Sequence, residues 1–464
     1  MKSKSLSIER ILRRASYRLI AYRDGHAGAF TYKKEFEVLA AATRDAIESH
    51  SYEKLKRILG HAYRTSDFYR ESWRAIGFNP ADMQNATELT RLPILKKAAI
   101  QDNKDALASD RLPKNKLETS YTGGSSGNPT SFYRDRACAS QRVGRQLAIL
   151  ERCGYRLGDP CGLVWGIHAE TPGNAHWFAL RQRFRKFASG KEALCCTVMH
   201  PEQMKDFHRR LKRFGPRVLY GYPNAMTHFA EFIVSEGLEP IRVDRILCTA
   251  ERLSPDQRAR LTEIFGGEVF NLYCTREHGC IGFECKEHRG FHVDAGSVHL
   301  EVVSNGRAVG RGQSGKIVVT DLLNYGMPFI RYEIGDVGVL SEEPCRCGCH
   351  LPVLRELGGR VSDLLIRPDG STVAGLMLID MFMDNPKIGA MQIVQEEPTR
   401  LDVFLEVGQR FDHNDRMMVK REFRAYLGQD MDVSLNIVAE IPRNPNSGKF
   451  QEVICRVPAS SGRR

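Results

Sequence analysis

The chain has 464 residues, enough for two or more domains with a large core, and its 42% hydrophobic and 27% charged residues are ordinary for a globular protein. No stretch approaches the ~18 consecutive apolar residues of a membrane-spanning helix, which points to a cytoplasmic protein. The formal net charge of +12 favours acidic partners such as nucleotides, coenzyme A, an acidic carrier protein or anionic lipid.

Nucleic acid is not expected as a partner, because the positive charge is spread along the chain and no recognition-helix or zinc-finger pattern is present. Thirteen cysteines is an odd count, which in such a protein implies thiols or metal ligands rather than a disulfide framework. Residues 1–23 are basic and amphipathic, and arginines break their apolar runs. They lack the apolar core and cleavage site of a secretory signal. They read as a surface helix, with a peripheral membrane contact as the alternative.

Residues 36–77 read as two helices, with Tyr52, Leu55, Ile58, Leu59 and Ala62 at helical spacing. A short extended segment from Arg91 to Lys96 and another helix precede a Gly/Ser loop, and residues 134–153 are helical. Strands and helices then alternate: strands at 162–166, 218–222, 245–249 and 269–273, helices at 177–187, 204–214, 225–236 and 255–265. That alternation argues for a layered α/β domain. After Gly290 the pattern becomes strands at 298–303, 316–320, 329–332 and 337–340, a β-rich subdomain. Residues 363–464 read as a small α+β module, with strands at 401–406 and 433–439 around a helix at 415–426.

The Gly/Ser loop, Tyr121–Pro129, reads Tyr-Thr-Gly-Gly-Ser-Ser-Gly-Asn-Pro. Its glycines permit close backbone approach, so several N–H groups can turn toward one anion, and Thr122, Ser125 and Ser126 add hydroxyl donors. A polyphosphate matches such small uncharged donors. The Walker ending Gly-Lys-Ser/Thr is absent. An ordinary Gly/Ser turn has the same composition.

Four later stretches carry chemistry. Tyr273–Gly279 follows a strand and contains Glu277, a carboxylate placed to hold Mg2+ jointly with phosphates. Gly335-Asp336 offers a carboxylate at a turn, able to accept two hydrogen bonds from a ribose diol. Gly359–Asp363 lies at the expected domain boundary, and Pro442–Phe450 sets Lys449 on a proline- and glycine-framed loop. Each alone is an ordinary loop residue.

Together and in this order they resemble the adenylate-forming superfamily of acyl-CoA synthetases, luciferases and nonribosomal-peptide adenylation domains. Arg91–Lys96, the loop followed by Phe132 and Tyr133, and Met327–Tyr332 ahead of Gly335-Asp336 resemble its phenylacetate–CoA ligase branch. Glu284-Cys285, Gly290–His292 and Cys345–Gly348 point to capsular-polysaccharide-biosynthesis relatives within it.

The resemblance implies a large multi-layer N-terminal domain, residues 1–362, with a β-rich subdomain, and a small mobile α+β C-terminal domain, residues 363–464. It implies that Thr122, Gly123, Gly124, Ser125, Ser126 and Gly127 grip the phosphates of ATP. Glu277 would hold Mg2+, Tyr273 and Asp336 would contact the nucleoside, and Arg360 would approach the ribose or phosphates. Asp363 would be the hinge and Lys449 the adenylation lysine. The physics fits: a carboxylate attacking a phosphate brings two anions together, so catalysis depends on positioning and on cations. A lysine that enters and then leaves would let a thiol or amine reach the acyl-adenylate. Two positions depart from the family pattern: Arg276 stands where Ser or Thr usually precedes the glutamate, and Cys274 replaces a glycine.

Cys280, Cys285, His288, His292, Cys345, Cys347, Cys349 and His350 bracket the β-rich segment. The spacing fits either a tetrahedral structural Zn2+ or a set of reduced thiols near a turn. By the resemblance, some relatives in the branch carry a zinc here; the ligands expected in this chain are Cys285, His292, Cys345 and Cys347, with Cys349 and His288 in reserve. An acid pocket is expected around Trp165, Tyr220, Tyr222 and Arg276, although tyrosines there serve equally in packing.

The expected activity is ATP-dependent adenylation of a carboxylic acid followed by transfer to coenzyme A. The alternatives are transfer to an amine or hydroxyl in capsule or exopolysaccharide biosynthesis, or a non-catalytic nucleotide-binding scaffold. A homodimer is compatible with the sequence.

Overall fold

The computed structural model describes residues 2–121, 130–165, 190–196, 199–360, 364–368, 372–383, 385, 387–408, 410–441 and 452–457. The chain divides into two compact units: Met1–Ile334 with Gly338–Leu357, and Gly335–Val337 with Gly358–Arg464.

Two antiparallel strands, β1 (Glu118–Tyr121) and β2 (Ser131–Arg134), lead into and out of the Gly/Ser loop. The larger unit is built on β3 (Cys161–Trp165), β4 (Lys191–Cys195), β5 (Val218–Gly221), β6 (Arg245–Thr249), β7 (Glu268–Thr275), β8 (Gly279–Glu284) and β9 (Phe291–Val293). They continue into β10 (Val298–Ser304), β11 (Arg307–Ala308), β12 (Ser314–Asp321), β13 (Tyr332–Leu340) and β14 (Val353–Arg360). These form one sheet of order β11-β10-β12-β13-β14-β9-β8-β7-β6-β5-β3-β4. Neighbours from β4 through β7 run parallel; β7-β8-β9-β14 are antiparallel.

Strand alternation assigns each side of the parallel part to its own helical layer. Leu219, Ile246 and Cys248 face the helices Pro201–Phe214, Pro223–Ser235 and Pro255–Phe265, whose Phe207, Phe229 and Phe265 fill that core. Val218, Tyr220 and Leu247 face Ala29–Ala40 and Arg136–Arg152. Those two helices approach so closely that a Cβ on Gly144 would stand 2.0 Å from the Ala29 carbonyl oxygen, so only glycine fits there. Local chemistry sets the ends. Ser254 and Gln257 form a capping box before Pro255, and Gly266 closes the same helix in the left-handed conformation. Asp135 caps Arg136–Arg152 by accepting from the Cys138 amide at 2.7 Å.

The smaller unit holds β15 (Leu364–Ile366) paired with β16 (Thr372–Ala374). Its main sheet orders β17 (Ile388–Glu397), β18 (Arg400–Val407), β19 (Asp432–Ile437) and β20 (Val453–Cys455) as β19-β18-β17-β20. The helices Gly375–Met383 and His413–Leu427 pack on it through Phe382 and Phe423, which stack in parallel at 5.8 Å.

Some expectations shift. Residues 36–77 fall into parts of three helices, because Ser66 adopts an extended conformation between Arg44–Thr65 and Asp67–Ala75. Of the strand expected at 329–332 only Tyr332 is in a strand: β13 begins there and runs unbroken through 337–340, so Asp336 lies within it rather than at a turn. The helix expected at 177–187 lies outside the described residues.

Candidate active site and cysteine cluster

Three segments reach the C-terminal edge of the parallel strands together. Trp165 ends β3, Tyr222 follows β5, and β7 runs out at Thr275 into the turn that carries Arg276, Glu277 and His278 before β8 returns. In open α/β sheets this edge is where ligands bind.

Glu277 is half-buried and Arg276 exposed, while His278 is buried. The His278 amide donates to Thr275 Oγ1 at 3.1 Å, and its ring Nδ1 lies 3.2 Å from the same oxygen. The ring stacks on Tyr332 at 5.9 Å and meets Phe329 edge-on. Burial, reinforced by the Arg142 charge, holds the imidazole well below its ordinary pKa, so it is neutral.

Arg142 underlies this turn. A Cβ on Gly279 would sit 3.3 Å from Arg142 Cδ, and the negative charge of Glu277 acts on the guanidinium. Arg142 Nη2 donates to Asp321 at 2.5 Å, and Asp321 also accepts from the Leu323 amide at 2.9 Å. Among the described residues, Arg142 Nε and Nη1 and His278 Nε2 are buried without hydrogen-bond partners.

Trp165 is half-buried against two buried tyrosines, with ring centroids 4.6 Å from Tyr222 and 5.5 Å from Tyr220. Burial raises the Tyr220 hydroxyl well above its ordinary pKa, as do the nearby thiols of Cys274 and Cys280. Cys274 and Cys280 are paired across β7 and β8. Asn224 is held by Gln257, which donates to its amide oxygen at 2.6 Å. Tyr273 is buried in the core, 6.0 Å from Phe291.

The cysteine cluster lies at the other end of β8. Cys285 follows β8, His292 is in β9, and Cys345 and Cys347 precede β14; their ligand atoms all lie within 4.8 Å of one another. Cys285 Sγ is 3.6 Å from Cys345 Sγ, and Cys347 Sγ is 3.3 Å from His292 Nε2. Burial pushes the Cys285 thiol up to about 12 and holds His292 below its ordinary pKa, which leaves its imidazole neutral. Three thiols and a neutral imidazole at this spacing form a Cys3His donor set for a tetrahedral soft cation, which would draw off the thiol protons. The two reserve candidates lie elsewhere. Cys349 Sγ donates to the Ala40 carbonyl at 3.4 Å in the core. His288 sits 3.3 Å from Glu284, whose carboxylate takes two bonds from Arg258 at 2.8 and 2.9 Å.

Comparison with known proteins fits this architecture. The chain is 25% identical to a phenylacetate–coenzyme A ligase of Thermus thermophilus over 460 residues, covering 91% of this chain and 99% of that one. It is 24% identical to protein CapK of Staphylococcus aureus over 438 residues, covering 86% and 91%. Residues 365–456 match the CapK C-terminal domain family. The relatives it matches over most of its length are therefore phenylacetate–CoA ligases and CapK. The fold agrees: a 2-hydroxyisobutyryl-CoA ligase in the postadenylation state, complexed with R3-HIB-AMP, superposes with TM-score 0.69 at 19% identity over 90% of this chain and 91% of that one.

Against that family pattern, the described residues place Glu277 at the sheet edge, Asp336 half-buried in β13, and Tyr273 in the core beneath. Thr122, Gly123, Gly124, Ser125, Ser126, Gly127, Asp363 and Lys449 lie outside the described residues, as does the side chain of Arg360 at the end of β14. Sequence reading misses Arg142, His278 and Asp321. The histidine is next to a candidate, but its burial and the partnership of Arg142 with a residue 179 positions away are tertiary facts.

Proposed function

We propose that this protein activates a carboxylic acid with ATP and transfers the acyl group to coenzyme A. The observation that carries the reading is the Glu277 turn, set over a buried arginine where β3, β5 and β7 end together, in a chain related along most of its length to phenylacetate–CoA ligases. In the first step a substrate carboxylate oxygen bonds to the α-phosphorus and the bond to the β-phosphate bridging oxygen breaks, releasing pyrophosphate. In the second, the coenzyme A sulfur bonds to the acyl carbon, the acyl C–O bond breaks, AMP leaves, and the thiol proton passes to solvent.

Glu277 would hold Mg2+, whose contribution is to neutralise phosphate charge. Asp336 would accept from the ribose hydroxyls, residues 122–127 would grip the phosphates, and Lys449 would approach the reacting centre in the first step. Arg360 would assist at the ribose or phosphates, and Asp363 would serve as hinge between residues 1–362 and 363–464. Arg142 is a positioning residue that fixes the turn from beneath. Trp165, with Tyr220 and Tyr222 behind it and Arg276 on the exposed side, would border the acid. The Cys3His cluster would hold a structural Zn2+, pinning the end of β8 to the loop before β14.

A second reading concerns the acceptor. The resemblance of Glu284-Cys285, Gly290–His292 and Cys345–Gly348 to capsular-polysaccharide-biosynthesis relatives supports an amine or hydroxyl acceptor in place of the coenzyme A thiol. A non-catalytic scaffold is disfavoured, because it has no physical need for Glu277, Asp336 and Lys449 together. Exchange of labelled pyrophosphate into ATP across a panel of acids tests the first half-reaction. Thioester formation with coenzyme A, against amide or ester formation, then separates the acceptors.

A further inference from the structure

The helix Lys2–Arg23 has two faces of opposite use. One is docked. Arg13 is buried with its guanidinium 5.2 Å over the Phe214 ring, Arg10 lies 3.7 Å from Asp159, Tyr17 is raised in pKa by burial, and Ala21 is buried. The helix therefore lies along the turns that precede β3 and β4, with Arg13 Cδ 3.4 Å from where a Cβ on Gly190 would stand.

The other face is apolar and uncovered. Ile11 is 62% exposed, Leu12 53%, Leu19 68% and Tyr22 75%. At about 100° per residue these four and Ala15 share roughly one-third of the helix circumference, the geometry of a continuous stripe. Helices that fold only against their own protein bury such a stripe, so its exposure marks a contact made with something else.

The charge around the stripe says what that something is. Arg14 and Arg18 lie along one border, and Arg23, beside Asp24 at 3.0 Å, along the other. Arg18 packs over Phe30 at 4.9 Å, which fixes it beside the stripe. By sequence alone, residues 1–23 hold seven cations (Lys2, Lys4, Arg10, Arg13, Arg14, Arg18, Arg23) and one carboxylate, Glu9, with Arg10 and Arg13 on the docked face. An apolar stripe bordered by arginines matches the bilayer interface, where apolar side chains enter the acyl boundary while cations meet anionic headgroups.

We propose that this helix seats the protein on an anionic membrane surface, with Ile11, Leu12, Leu19 and Tyr22 inserted and Arg14 and Arg18 on lipid phosphates. The remainder of the protein stays in water; no helix among the described residues is long and apolar enough to cross a membrane. The inference is independent of the ligase chemistry.

The test is flotation of the full chain with vesicles of phosphatidylcholine containing roughly one-third phosphatidylglycerol, against phosphatidylcholine alone, since anionic lipid is the attracting charge. The wild type should float with the anionic vesicles and remain behind with the neutral ones. Ile11→Glu with Leu19→Glu should weaken binding by about tenfold or more per side chain, given the apolar area withdrawn from lipid. Arg14→Gln with Arg18→Gln should weaken it by about tenfold or more and reduce its salt sensitivity. All four side chains are on the helix's outer face, so an unchanged thermal melt is the folding control. Failure to float, or equal binding to neutral vesicles, overturns the proposal. So does a lipid-free dimer that Leu19→Glu dissociates, because a second copy would then cover the stripe.

Discussion

Arg142 and Asp321, 179 residues apart in the chain, meet at 2.5 Å in the interior beneath the Glu277 turn. The pair joins the helix Arg136–Arg152 to the end of β12, so the turn's support comes from two elements outside its own hairpin. Two further guanidinium nitrogens are buried without partners among the described residues, and a buried donor left unpaired is expensive. An anion near the turn would relieve that cost.

Breaking the pair should therefore be felt in both folding and catalysis. Asp321→Asn leaves Arg142 buried without its counter-charge and should cost about 3–5 kcal/mol of stability by denaturant unfolding. Arg142→Lys keeps the charge but loses the planar fork. It should fold and show at least about tenfold lower acid-dependent pyrophosphate exchange, as expected when a group that positions the transferring phosphates is displaced. Exchange at the wild-type rate in Arg142→Lys would remove it from the site.

The cysteine cluster predicts one tightly bound zinc per chain, measured by elemental analysis of the purified protein. Cys345→Ser or His292→Ala should lower the metal content and melt early, because metal binding here is also folding energy. Retention of full zinc in both variants would place the metal elsewhere.

Lys54 gives a pH signature. Its ammonium donates to the Gly296 carbonyl at 2.6 Å, and burial, with Arg145 adding repulsion, lowers its pKa from 10.5 to about 8. Between those two values the unfolded chain holds a proton that the folded chain has released, so stability rises with pH across that window. At pH 7 both states are protonated and the desolvation cost is present in full. Lys54→Met removes it. Its stability relative to wild type should fall by about 2–3 kcal/mol between pH 7 and pH 10, at ~1.4 kcal/mol for each pH step of one within the window. A difference independent of pH would mean that Lys54 keeps its ordinary pKa.

The aromatic group at the sheet edge predicts a split between substrates. Trp165 is half-buried, whereas Tyr220 and Tyr222 are buried behind it. Trp165→Ala should raise KM for the acid by about tenfold, the loss of one good apolar contact, and leave KM for ATP within about twofold. Equal changes in both would assign the tryptophan to packing.

The elements most legible in the sequence are those whose instructions are local. The helix Pro255–Phe265 carries its capping box, its N1 proline and its terminal glycine all between Ser254 and Gly266, and β6 is a plain apolar run. β17 escapes a sequence reading although it is the longest strand of the small unit, because residues 391–395 are buried in succession, so the strand carries no clean alternation. β13 reads as two strands because Gly335 and Asp336 resemble a turn, while the structure continues through them with Gly335 at φ +88°. The four residues of the cysteine cluster can be chosen from a family resemblance, but separating them from Cys349 and His288 requires knowing that one faces Ala40 and the other Glu284. Arg142 is illegible for the same reason: nothing in its helix announces a partner on β12.

Labelled pyrophosphate exchange in wild type and Lys449→Ala decides whether a carboxylic acid is activated on ATP at this site. Exchange should require an added acid and run at least about a hundredfold slower in the variant, as for a cation removed from the transferring group. Thioester formation from a preformed acyl-adenylate should stay within about threefold of wild type, since the lysine's role belongs to the first step alone. Acid-dependent exchange undiminished in Lys449→Ala, or no exchange with any acid in a protein that binds MgATP, would contradict it.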